Sequence, residues 1–143
     1  MRPNTLVAVS ERIEAGEDPE KALAEFLDEF YSAREAHAAY RMIAAEPQEL
    51  NDVRLDALLA AVADYLCLQF VQRPPPPWTS HPKRVLAEPF FTVKTASPGM
   101  REWLVHNSPA EFKAHNIFTE ARPLRRKMSG RVAFAAAGDS PGR

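Results

Sequence analysis

A chain of 143 residues holds about one ordinary domain, and its apolar content is enough to bury a core without disulfides or metal. The longest apolar stretch, "ALLAAVADYLCLQFV" at residues 57–71, is broken by Asp64 and is too short to span a bilayer comfortably, so no membrane association is expected. Charges arrive early at Glu11 and Arg12, which leaves no secretory apolar region at the N-terminus, and a cytoplasmic location is the expectation.

The net charge of −1 conceals a division. Residues 1–72 carry 6 Lys/Arg against 14 Asp/Glu, while residues 73–143 carry 12 against 5. Such asymmetry can mean an anion-binding surface, or two halves that attract each other across one fold.

In chain order, a short helix over residues 6–13 ends at Gly16, which suits a left-handed exit. Asp18-Pro19 then starts a long helix, with the Asp oxygen expected to accept from first-turn amides and Pro wasting no amide. Leu23, Phe26, Leu27, Phe30, Ala33, His37 and Tyr40 follow at three- and four-residue steps and make one face apolar. Glu25, Asp28, Glu29 and Glu35 take most of the other face. Glu46-Pro47 closes the helix, because the residue before proline is pushed out of the helical region.

Asn51 or Asp52 can cap the next helix, whose span, residues 55–71, has little polar face. This is the expected central helix, with Asp64 either at its rim or paired with a cation such as Arg34 or Arg41. The single cysteine, Cys67, sits among Tyr65, Leu66, Leu68 and Phe70, the setting of a buried, inert thiol. "RPPPPW", residues 73–78, stops the helix and reads as a stiff strap whose Trp78 packs on the core.

Beyond the strap, His81-Pro82, Ser97-Pro98 and Ser108-Pro109 each place proline after a capping residue, so the second half reads as short helices and turns. "FFTVKT" at residues 90–95 and "NIFT" at 116–119 have strand character but are too short to demand a sheet. "SPAEFKAHNIF", residues 108–118, reads as a capping box: Ser108 accepts from the Glu111 amide, and the Glu111 carboxylate returns to Ser108. Phe112 then faces the core, Lys113 and His115 remain for outward contacts, and Asn116 makes a left-handed exit. The expected organisation is a mainly α, single-domain helical bundle over residues 1–126. Within it lie an acidic helical half at 1–72, the strap at 73–78 and a basic half at 79–126; residues 127–143 form a loosely ordered tail.

Chemistry is not signalled. His37, His81, His106 and His115 stand apart and Cys67 has no CxxC partner, so no zinc site is expected, and no glycine-rich phosphate loop is present. No cofactor is expected. Arg122, Arg125, Arg126, Lys127 and Arg131 supply enough basic charge for salt-sensitive phosphate contact, which keeps a nucleic-acid-binding regulator as an alternative. An enzyme, the third reading, would need a cleft gathering His106, His115 and Asp64.

Four stretches carry a resemblance: "EFLDEFY" (25–31), "RLDALLAAVADYL" (54–66), "PPWTSHPKRVLAEPFF" (76–91) and "SPAEFKAHNIF" (108–118). Together the chain resembles a group of small bacterial proteins associated with minimal nucleotidyltransferase toxins. In that group Glu often stands at the position of Asp64 and Trp at that of Phe90. What the resemblance implies is a non-catalytic antitoxin or accessory protein that holds a nucleotidyltransferase-like enzyme. Such a partner carries basic surface, which Glu25, Asp28 and Glu29 would mask, with Lys113, His115, Arg125 and Arg126 as further contact candidates.

Overall fold

Most helices begin at a residue whose side chain accepts from a first-turn amide. Thr5 accepts from the Ala8 amide and opens α1, Leu6–Glu14, which ends in a turn at Gly16 with φ of 103°. Pro19 opens α2, Pro19–Tyr31, although Asp18 makes no side-chain cap bond, contrary to expectation. Proline itself supplies the fixed φ and the missing donor that the start requires. The computed structural model describes residues 2–93 and 97–126; the tail expected at 127–143 lies outside them.

The long helix expected from Pro19 to its close at Glu46-Pro47 is in fact two. After Tyr31 the Ser32 hydroxyl donates back to the Asp28 carbonyl at 2.7 Å, and Glu35, extended at φ −147°, accepts from the Ala38 amide to start α3, Ala36–Ala44. The break resets the helical phase. Ala36, Ala39 and Ile43 become the buried positions of α3, whereas His37 is exposed. Glu35 is therefore a cap and not a member of an acidic helix face.

Asp52 caps α4, Val53–Leu66, by accepting from the Arg54 amide at 2.9 Å. Most of its positions are buried, many of them alanines that let neighbours approach closely, so α4 is the central helix. Its last turn widens into a π-helical segment, Cys67–Val71, closed by Gln72 in the left-handed region at φ 60°. The widened turn brings Phe70 against Tyr31 at 5.2 Å and Phe30 at 6.5 Å between ring centroids.

The proline strap behaves as expected. It leads into a short 3₁₀ turn, Pro77–Ser80, and the Trp78 indole donates to the Ile43 carbonyl at 3.2 Å. A second 3₁₀ turn, Pro82–Arg84, is capped by His81, whose Nδ1 accepts from the Lys83 amide. Both turns lie on α4.

β1, Phe90–Phe91, pairs in parallel with β2, Ile117–Phe118, in a two-stranded ribbon. The connection carries α5, Pro98–Asn107, capped by Ser97, and the single turn α6, Ala110–Lys113. α6 and β2 pack on α4, so the molecule is a mainly α single domain wrapped around one helix.

The capping box at Ser108 is not formed. Pro109 takes the cap position of α6, while buried Ser108 accepts from the Thr119 amide at 2.7 Å and points its hydroxyl at the Leu104 and Thr119 carbonyls. Glu111 instead accepts from the Gln69 side chain at 3.0 Å. Ser108 thus fastens the end of α5 to the strand exit, which is a tertiary contact that helix-start rules do not anticipate. Asn116 does adopt the left-handed exit, at φ 64°.

Candidate functional site

The polar heart of the fold is built on Arg84. Its side chain is fully buried, with Nη2 donating to the Pro47 carbonyl at 2.8 Å and to Glu46 Oε2 at 3.2 Å, and Nη1 to the Asp56 carbonyl at 3.1 Å. The guanidinium lies 4.9 Å from the Trp78 ring centroid, and the Asp56 carboxylate stands 3.9 Å away while accepting from the Leu50 amide. A planar fork suits this site because it meets several acceptors at once.

The Arg84 carbonyl extends the cluster. It lies 2.7 Å from His115 Nδ1, and a carbonyl can only accept, so that nitrogen carries a proton. His115 Nε2 then faces Asp64 Oδ2 at 2.6 Å, and one further proton lies between them. Asp64 is therefore paired with His115 rather than with Arg34 or Arg41, which are both exposed. His115 is buried at 2% exposure and does not face outward as the sequence suggested, because the Asn116 turn folds it back over α4. Both of its ring nitrogens are occupied, so proton transfer to a substrate would first require breaking one of these bonds. His106, the third member of the expected cleft, is exposed on α5. Among the described residues no three His, Cys, Asp or Glu side chains are arranged to hold a metal ion.

The acidic candidates are engaged within the chain. Asp28 receives Arg126 through two bonds at 2.9 and 3.0 Å, and that hydrogen bond holds its carboxyl below the usual range. Glu29 meets Arg2 at 3.2 Å, and Glu25 approaches Arg12 at 3.7 Å. Lys83 holds the Glu49 carboxyl below its ordinary value through a 2.7 Å bond. Pairs such as Asp28–Arg126, Glu49–Lys83, Glu46–Arg84 and Asp64–His115 all join the acidic half to the basic half. This supports attraction across one fold as the meaning of the charge division. Lys113 and Arg125 are exposed. Cys67 is buried, its thiol pushed up to about 11 by burial, with Sγ 3.1 Å from the Arg73 carbonyl.

Two surface features were not singled out from the sequence. On α5, Trp103 is 50% exposed and Met100 43%, and together with Ser97 and Gly99 they line an open hollow of about 480 Å³. Their three-residue spacing is a readable sign of a shared helix face. A second, deeper groove of about 550 Å³ runs between the starts of α2 and α4 and β1. Comparison of the chain with known protein families, with curated proteins and with solved structures finds no match.

Proposed function

We propose that this chain is a non-catalytic interaction protein, the antitoxin or accessory partner of a nucleotidyltransferase-like enzyme. The observation that supports it is the face of α5. Met100 and Trp103 expose two large apolar side chains one turn apart, and Trp is the residue type most enriched at the energetic centre of protein interfaces. The nature of the partner rests on the sequence resemblance.

The internal pairing of Asp28, Glu29 and Arg126 shifts the expected contact surface from the acidic helix toward α5. Exposed Lys113 and Arg125 remain as rim contacts that would tune encounter more than affinity. The nucleic-acid alternative has less support, since Arg126 is already bonded to Asp28.

Co-expression with the product of the adjacent gene, followed by size-exclusion chromatography, tests the reading. A co-eluting complex weakened at least tenfold by Trp103→Ala is expected. Separate elution of the two proteins would reject the proposal.

A further inference from the structure

The deeper groove has a chemistry of its own. Its floor is apolar, made by half-buried Leu23, Leu55, Leu58, Phe90 and Phe91, all of which keep surface open to solvent. Its rim is acidic, with Asp18 and Glu20 from the start of α2 and Asp52 from the start of α4. None of these three carboxylates is in an ion pair among the described residues, in contrast to the acids farther along α2. Asp52 serves as a helix cap, but Asp18 makes no cap bond although it stands at the cap position. The one cation at the rim among the described residues, Arg54, lies over the Phe90 ring at 5.0 Å from its centroid.

We infer that this groove binds a short basic amphipathic segment of a partner protein, with two or three aliphatic or aromatic side chains on the floor and Lys or Arg side chains against Asp18, Glu20 and Asp52. The inference deepens the interaction reading and rests on it. Charge complementarity selects the occupant, because an acidic or neutral segment would leave three unpaired carboxylates at the edge of an apolar contact. Size selects a segment over a folded surface. A volume of about 550 Å³ falls within the roughly 300–1,000 Å³ of pockets that enclose a compact ligand, and it has room for a few side chains.

The test selects from a library of random 16-residue peptides displayed on phage, panned on the full chain, and titrates the enriched peptides by fluorescence anisotropy. Enriched peptides should carry a net positive charge and at least two large apolar residues. The triple variant Asp18→Asn, Glu20→Gln, Asp52→Ser keeps a capping hydroxyl at position 52 and should weaken them at least tenfold. It should also flatten their salt dependence, with an unchanged circular dichroism spectrum confirming the fold. No enrichment, enrichment of acidic peptides, or binding indifferent to the triple variant overturns the inference. So does a concentration-dependent dimer in sedimentation that the triple variant dissolves, since a second copy would then be the occupant. A partner complex that forms and survives the triple variant sinks the groove assignment while leaving the interaction reading intact. Groove-dependent peptides without any partner complex support the groove and count only against that reading.

Discussion

Replacing Arg84 by methionine keeps much of the side chain's bulk and removes its hydrogen-bonding head. Four groups lose a partner. Glu46 is 42% exposed and recovers water, so its share is small. The Asp56 carbonyl belongs to α4 and keeps its helical donor, so its share is also modest. The Pro47 carbonyl lies in a loop and is left without its 2.8 Å donor, a loss of about 1–3 kcal/mol for a buried acceptor. The Asp56 carboxylate, with 6% of its side chain exposed, loses the cation 3.9 Å away while keeping the Leu50 amide. The stacking on Trp78 adds roughly 0.5–2 kcal/mol. Against these stands relief from burying a charge. The balance is a destabilisation of about 3 kcal/mol, small enough to leave a measurable transition in a domain of ordinary stability. Urea titration followed by circular dichroism and tryptophan fluorescence reads it as a lower midpoint with an unchanged slope. In a double-mutant cycle with Asp56→Asn, the two losses should fall short of additivity by about 1 kcal/mol. A loss below about 1 kcal/mol, or a gain, would refute the placement of Arg84 as the donor that ties the strap to α4.

Three further outcomes follow from the same geometry. Ser108→Ala leaves the buried Thr119 amide without its acceptor and should cost about 2 kcal/mol, more than a simple helix cap; thermal melting that does not change would sink the tertiary assignment. Asp64→Asn can still donate to a neutral His115 and should cost under about 1.5 kcal/mol, whereas Asp64→Leu strands Nε2 and should cost about 2–3 kcal/mol, so equal midpoints for the two variants contradict the pairing. The native fold favours the protonated thiol of Cys67, so its contribution is complete below the unfolded thiol value and fades as pH rises through about 11; Tyr31, also pushed up by burial, acts in the same direction. Stability in urea should therefore decline between about pH 9 and 11, less steeply in Cys67→Ala, and a thiol reagent should label the native chain only after unfolding; full labelling at pH 8 without denaturant contradicts this.

Features set by neighbours along the chain were readable. Pro19, His81-Pro82, Ser97-Pro98 and the Asn116 turn each depend on φ restriction or on a bond to a residue within a few positions, and those rules act locally. The helix break at 32–35 escaped because Glu is not a preferred cap and the apolar spacing runs on through Ala33 and Tyr40. Ser108 was misread because its partner is the Thr119 backbone, eleven residues on, while a local capping partner stood three residues away. Asp64 and His115 are 51 positions apart, and nothing in periodicity says which cation a helical acid will meet. Arg84 was legible only as one charge of a basic half, since its burial depends on Glu46, Pro47 and Asp56 converging from two other segments. The groove and the α5 hollow are products of tertiary packing, although the Met100–Trp103 spacing was available to a reader looking for exposed pairs.

The buried Tyr31 hydroxyl donates to the Leu124 carbonyl at 2.9 Å, across 93 positions of sequence. During synthesis this bond is among the last that can form, because Leu124 must leave the ribosome before Tyr31 finds its acceptor. Before residues 110–126 emerge, α2 and α4 are present without α6 and β2, which cover α4, and without Arg126, which meets Asp28. The nascent acidic half thus waits with bare apolar faces and unneutralised carboxylates. Slow, late closure is the kinetic counterpart of such long-range contacts. A truncation ending before residue 110, which removes α6, β2 and Leu124, should accordingly behave as an unfinished domain, competent for local helix formation but not for cooperative folding.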